Sequence, residues 1–306
     1  MMWFNKSSLI SVEAQRKRSF LLGLLPALVV LAAITIAPAV YLFMTSLTPL
    51  DLTRQEETAG DYSRPWTNYV ELGSDQRFHN SVWVQVKLSI FTVLLQLVVG
   101  LGVALLLNAP SRFLEAVRTV FLIPMVLPPI VVSIIWKVIY IPDVSPIHRL
   151  LEVFGFPIES LITNPKLALW AIAVADTWEW FPFTMLILLA ALQMIPDEPL
   201  EAARIDGAGS WQLFQHIILP LIRPTIVVAA LFRLIDSIKA FPLIYVLTNG
   251  GPGMVTEVTN YYAFIEAFNF SYWGYAGAIS VLMVAGVFFF SWLINRMAGR
   301  SALQET

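Results

Sequence analysis

The chain has 306 residues, of which 58% are hydrophobic and only 13% are charged, and it contains no cysteine. A soluble domain carries about 25% charged residues, so this composition excludes an ordinary soluble protein. The lack of cysteine excludes disulfides, thiolate catalysis and cysteine-ligated metals, and the net charge of -2 is uninformative.

Long apolar runs recur along the chain, and about 20 such residues are enough for a helix to cross about 30 Å of hydrocarbon. They predict an all-α integral membrane protein with six spans, at about residues 20–46, 81–107, 119–141, 167–194, 225–247 and 273–294. The first run follows a basic cluster, but it is too long for a signal peptide and has no cleavage site of small residues. We therefore interpret it as a retained helix.

Prolines interrupt the third predicted span at Pro124, Pro128 and Pro129. Two interpretations are open. The prolines either produce a simple kink or break the helix where it lines a transport path, because freed carbonyls need protein or water around them.

An even number of spans places both termini on one side of the membrane. Outside the spans, ten lysines and arginines lie on the side of the termini and five on the opposite side. Cytoplasmic loops are enriched in these residues. We therefore expect segment 1–19, the loop 195–224 and the tail 295–306 to be cytoplasmic.

The loop 195–224 is unusually well specified for a connection between two spans. Pro196 stops the fourth span, and Asp197 is a candidate N-cap for a new helix. Gly207 suits the left-handed conformation that ends a helix, and Ser210 is a candidate N-cap for a second one.

The second helix of this loop has apolar residues at helical spacing, and we expect Pro220 and Pro224 to break it before the fifth span. The loop is therefore predicted to be a helix, a glycine turn and a helix at the membrane surface. It either rests on lipid as an amphipathic element or docks a soluble partner. Its acidic first helix disfavours an anionic membrane surface and favours the partner.

The segment 201–224, EAARIDGAGSWQLFQHIILPLIRP, resembles the EAA loop of the membrane subunits of binding-protein-dependent ABC importers. The lead-in LAALQMIPDEPLEAARIDGA and the segment 245–281 after the fifth span are similar to the carbohydrate-importer branch of that family. The layout of six spans with an extra amino-terminal helix is similar to the first subunit of a heterodimeric sugar permease pair.

The resemblance implies a type I ABC importer-like permease subunit in a bacterial inner (cytoplasmic) membrane. Such a subunit moves a sugar or related polyhydroxy solute (a disaccharide, an oligosaccharide or a glycerol phosphate) by alternating access. The implied partners are a second permease subunit, two ATPase subunits, an extracytoplasmic solute-binding protein and membrane lipid, with no nucleic acid. The loop would be the coupling helix on the ATPase, through Glu201, Ala202, Ala203, Asp206, Gly207, Ala208, Phe214 and Pro220.

The chain has no G-x-x-x-x-G-K-[ST] sequence, so we expect no ATP site and no enzymatic activity in it. ATP and Mg²⁺ are expected on the ATPase subunit. The three histidines, His79, His148 and His216, are isolated from one another, so no metal site is expected either.

Charged and aromatic residues inside the fourth and fifth spans are the candidates for a substrate pathway, because intramembrane charges usually face a bundle interior or an aqueous cavity. One interpretation is that they only neutralise each other. The other is a polar passage in which carboxylates and cations bind hydroxyls and tryptophan stacks on a sugar ring. The candidates are Asp176, Trp178, Glu179, Trp180, Arg233, Asp236 and Lys239.

Three rival functions are weighed against the importer. An ion-coupled secondary transporter also needs intramembrane charges, but usually shows repeated halves, which are not evident here. An intramembrane serine protease would need a histidine base at membrane depth, whereas His148 and His216 lie in loops. A scaffold of a membrane complex also fits a docking loop. The sequence does not name the sugar.

Overall fold

The computed structural model describes residues 6–109, 111–142, 144–155 and 160–302. Within these ranges the chain is almost entirely helical, and strand-type pairing is limited to an isolated bridge between Asp51 and Tyr272. The α-helices are, in order, α1 Lys6–Ser46, α2 Gln55–Thr58, α3 Thr67–Ser74, α4 Gln76–Leu107, α5 Arg112–Phe121, α6 Ile123–Val126, α7 Pro129–Tyr140, α8 Pro146–Val153, α9 Ala168–Gln193, α10 Asp197–Ile205, α11 Ser210–Leu213, α12 Leu219–Ser237, α13 Phe241–Leu247, α14 Thr259–Phe264 and α15 Trp273–Ala302.

In the described residues, five helical stretches are long and apolar enough to cross a membrane: Leu22–Ser46, Gln76–Leu107, Ala168–Gln193, Ser210–Ser237 and Trp273–Ile294. They overlap the first, second, fourth, fifth and sixth predicted spans. At the termini, α1 already begins at Lys6 and α15 continues to Ala302, so most of the predicted terminal segments 1–19 and 295–306 is helical. Residues 1–5 and 303–306 of those segments lie outside the described residues.

The third predicted span, 119–141, is not one helix. It is divided among α5, α6 and α7, and the backbone is extended at Leu127 and Pro128. Pro124 and Pro129 stand in the first turns of α6 and α7, where no intrahelical N–H is required. The prolines therefore break this segment into short helices rather than bending a continuous one.

The predicted start of the fifth span at residue 225, and the helix break at Pro220 and Pro224, are wrong. The helix runs from Ser210 to Ser237 through a π-helical turn at Phe214–Ile218. In that turn the Leu219 N–H donates to the Phe214 carbonyl, five residues back. The wider turn ends where Pro220, which has no N–H to donate, takes a place in the first turn of α12.

The same predicted span also ends too late, because the helix stops at Ser237 and α13 begins at Phe241. Pro242 has no N–H with which to bond the Ile238 carbonyl and continue α12. The Asn260 side chain donates to that carbonyl at 2.9 Å instead. The carbonyl that the break leaves without an intrahelical partner thus accepts a hydrogen bond from α14.

The centre of the bundle is the pair of α4 and α9, which are packed along most of their length. A Cβ placed on Gly100 would lie 2.8 Å from the Thr184 Cβ and 3.0 Å from the Met185 backbone nitrogen. Glycine at position 100 therefore permits the close approach of the two helices.

A Gly100→Val substitution is expected to lower the free energy of unfolding by about 2 kcal/mol, because overpacking a tight interface forces backbone shifts. Gly102→Val is the matched control, since a Cβ on Gly102 meets nothing within 4 Å. Thermal unfolding of the two variants in the same detergent measures the difference. Equal stability of the two variants would contradict the packing role of Gly100.

At the end of the bundle opposite the loop 195–224, polar contacts hold the connecting segments. The Arg77 guanidinium forms two hydrogen bonds of 2.8 Å with the Glu257 carboxylate, which secures the loop before α14 to α4. Tyr262 and Tyr275 donate to Asp75 Oδ2 at 2.6 Å each. Burial works to raise the pKa of Asp75, but these hydroxyls and nearby backbone N–H groups together hold it below its usual value.

Candidate coupling loop and intramembrane polar cluster

The first helix of the loop, α10, begins one residue earlier than predicted. Pro196 is the N-cap, and Asp197 is the first helical residue, beside Glu198 in the first turn. Asp197 is therefore not the cap, although both carboxylates still complement the positive end of the helix dipole. None of the α10 residues is buried, and Glu201 and Ala202 are exposed.

A glycine turn joins α10 to the second helix, as the sequence predicts. Gly207 has a φ of 84°, and its missing Cβ would meet nothing within 4 Å, so the backbone conformation and not space requires glycine there. The Asp206 N–H donates to the Ala202 carbonyl, and the Ala208 N–H donates to the Ala203 carbonyl at 2.9 Å.

Ser210 is not the cap of the second helix. Gly209 is its N-cap, and the Gly209 N–H donates to the Gln212 side-chain oxygen at 2.8 Å. The cap therefore comes from the glutamine three residues on. Phe214 is half-buried and Pro220 is exposed.

The loop exposes two large apolar side chains that the sequence analysis did not single out. Ile205 at the end of α10 is 86% exposed and Trp211 in α11 is 70% exposed. The Trp211 and Phe214 ring centroids lie 5.5 Å apart. Their place beside the glycine turn, in a mostly polar part of the loop, was the available signal in the sequence.

Inside the bundle, the structure brings several of the predicted pathway charges together around a residue that the sequence analysis missed. Gln96 on α4 donates through Nε2 to Asp176 Oδ2 at 2.8 Å, and its Oε1 accepts from Arg233 Nε at 2.8 Å. Gln96 thus bridges α9 and α12. The available signal was an amide within the apolar run LLQLVVG of α4.

The cluster continues along α12 toward the break after Ser237. Arg233 Nη1 lies 3.2 Å from Asp236, and Lys239 Nζ lies 3.4 Å from the other oxygen of that carboxylate. The Arg233 guanidinium also lies 4.6 Å from the Trp180 ring centroid. Trp178 instead packs against Trp136, with 5.9 Å between ring centroids.

Burial divides the cluster into an interior and an accessible part. The Arg233 side chain is only 1% exposed, and Asp176 and Glu179 are buried. Neither carboxylate oxygen of Glu179 has a hydrogen-bond partner among the described residues. The side chains of Asp236 and Lys239 are 38% and 72% exposed. The buried members can neutralise each other, whereas the accessible ones can meet a solute.

The described part of the chain holds no group of three or more histidine, cysteine, aspartate or glutamate side chains that could bind a metal ion. The carboxylates, cations and tryptophan rings of the cluster can form hydrogen bonds, ion pairs and aromatic stacking contacts. These interactions bind and orient a polar solute.

Residues 96–299 match the family described as binding-protein-dependent transport system inner membrane component. The chain is 36% identical over 264 residues to the trehalose/maltose transport system permease protein of Thermococcus litoralis, covering 85% of this chain and 87% of that protein. It is 34% identical over 264 residues to the sulfoquinovosyl glycerol transport system permease protein of Agrobacterium fabrum, covering 86% and 84%.

Among solved structures, a chain of a bacterial ABC transporter involved in the import of the acidic polysaccharide alginate superposes with a TM-score of 0.79 at 21% identity. The superposition covers 95% of this chain and 98% of that one. At this identity the likeness concerns the fold. It confirms the predicted all-α, type I importer-like fold class.

Proposed function

The chain belongs to the family of binding-protein-dependent transport system inner membrane components, and on this basis we propose that it is the permease subunit of an ATP-driven importer of a sugar or related polyhydroxy solute. Alternating access is the proposed mechanism. The loop 195–224 transmits movement from a separate ATPase subunit, which holds ATP and Mg²⁺. This chain itself is not an enzyme.

The observation that carries the coupling role is the helical hairpin of α10 and α11 with its exposed Ile205 and Trp211. The two side chains form an apolar protrusion beside a turn in which a glycine has the left-handed backbone conformation. Such a protrusion fits a cleft on a soluble partner protein. Glu201, Ala202, Ala203, Asp206 and Ala208 surround the same turn and are proposed to complete the contact. Phe214 belongs to the π-turn that connects the hairpin to α12, and Pro220 stands in the first turn of α12.

The proposed solute class rests on the relatives and on the polar cluster. One relative is a trehalose/maltose permease and another a sulfoquinovosyl glycerol permease. In this chain, the Trp180 ring lies against the Arg233 guanidinium, and the accessible Asp236 and Lys239 continue the chain of ion pairs from Arg233. Hydroxyls and apolar ring faces of a sugar match that combination.

The proposed assembly has this chain paired with a second permease subunit, two ATPase subunits and an extracytoplasmic binding protein. A solved relative of the same fold is in complex with an alginate pentasaccharide-bound periplasmic protein. In the proposed orientation the loop 195–224 and both termini face the cytoplasm, which follows the distribution of lysine and arginine.

Uptake by the assembled complex in proteoliposomes tests this function. Labelled maltose, trehalose and glycerol phosphate are supplied outside the vesicles together with the binding protein. ATP is either enclosed in the vesicles or omitted. We expect uptake of at least one sugar that requires ATP and is insensitive to ionophores. Uptake that follows an imposed ion gradient without ATP would identify an ion-coupled secondary transporter instead.

A further inference from the structure

A cavity of about 480 Å³ lies apart from the coupling loop and the polar cluster. It is formed between the first half of α4 and the start of α9, toward the end of the bundle opposite the loop 195–224. Lys87 of α4 and Lys166, just before α9, both line it. Neither the coupling role nor the proposed passage uses these lysines.

The two lysines have no anionic partner in the described part of the chain, because none of its ion pairs includes them. Lys87 is eleven residues after Gln76, the first residue of α4, which places its Cα about 16 Å along the helix. A cation at that depth directs its ammonium toward the nearer membrane surface.

The position of the Lys87 ammonium agrees with this direction. Nζ lies 5.8 Å from the centroid of the Trp83 ring, one turn nearer to the start of α4. The side chain therefore points back toward the end of the bundle where Lys166 lies. Both lysines thus line the cavity near the same end of the bundle.

Apart from Asn80, the remaining wall of the cavity is apolar and aromatic. Trp83 and Trp170 are exposed. The rings of Phe91 and Trp170 pack edge to face. Ile90 extends the apolar surface deeper along α4. Tryptophan at this level is typical of the boundary between headgroups and acyl chains.

We propose that this cavity binds an anionic phospholipid of the leaflet opposite the coupling loop. Its headgroup phosphate lies between Lys87 and Lys166, and an acyl chain follows Ile90 and Phe91. Two unpaired cations above an apolar groove complement a lipid that is anionic at one end and apolar at the other. A neutral sugar has no charge to pair with these lysines.

Native mass spectrometry of the assembled complex tests the proposal, with phosphatidylglycerol and phosphatidylcholine as probes. We expect Lys87→Gln/Lys166→Gln to retain at least fivefold less phosphatidylglycerol than the wild type, with phosphatidylcholine unchanged. Lys137→Gln is the matched control, since Lys137 is an exposed lysine in α7 that does not line the cavity. Equal retention by the double variant and the control overturns the proposal.

Two further measurements separate other occupants. Inorganic phosphate at millimolar concentration should not displace phosphatidylglycerol, and full displacement would identify a site for soluble anions and overturn the proposal. Cross-linking from position 87 to the second permease subunit would show that protein covers this surface, and it would also overturn the proposal. If the double variant fails to assemble, each single variant is expected to lose at least half of the bound lipid, and unchanged retention in both overturns the proposal.

Discussion

Replacing Ile205 and Trp211 together with alanine is expected to weaken binding of the ATPase subunit by about a hundredfold. A well-packed apolar pair at the centre of an interface contributes about 3 kcal/mol. Both side chains are highly exposed in this chain, so their removal should leave its own stability unchanged. ATP-dependent uptake should fall with the loss of binding.

Titration of the ATPase subunit onto the permease in nanodiscs measures this effect. Phe113→Ala is the matched control, because Phe113 on α5 is also a large, exposed apolar residue but lies outside the loop. The coupling role fails if the double variant binds the ATPase as tightly as the control. A loss of binding in both would point to a broader apolar surface.

Arg233→Met should lower the free energy of unfolding by about 3–5 kcal/mol, because it leaves the buried Asp176 without its compensating cation. Lys239→Met is the matched control. Lys239 contacts the same Asp236 carboxylate as Arg233 but is largely exposed, so its loss should change stability little. Chemical unfolding of both variants in one detergent compares them.

A second variant separates the two interpretations of the polar cluster. Arg233→Met/Asp176→Asn removes both buried charges and should recover most of the lost stability. Uptake that recovers together with stability would show that the charges only neutralise each other. Uptake that stays low in the restabilised protein is the result we expect if the cluster contributes to the passage.

Much of the architecture follows from the sequence because apolar run length and turn residues act locally. Five of the six predicted apolar runs overlap long helices, and Gly207 adopts the left-handed conformation that its place between two helical patterns requires. The fold class follows for the same reason. The predicted helix caps at Asp197 and Ser210 are each wrong by one residue, because neighbouring residues compete for the cap position.

Other features depend on contacts that no local pattern contains. Pro220 is a helix breaker in general, yet a π-turn before it keeps the helix continuous. The break after Ser237 is satisfied by Asn260, which is distant in sequence. Gln96 bridges Asp176 and Arg233 only because α4, α9 and α12 meet. Such pairings require the packed structure.

Under the proposed coupling role of the loop 195–224, the uninterrupted helix from Ser210 to Ser237 would serve as a mechanical lever. Its 28 residues span about 42 Å, so a tilt of about 5° at the loop displaces the other end by about 4 Å. That end carries Asp236 and lies next to the break at residues 238–240. Beyond the break, α13 packs against α7, so under the proposed coupling the break is the place where a movement of α12 would be separated from α13.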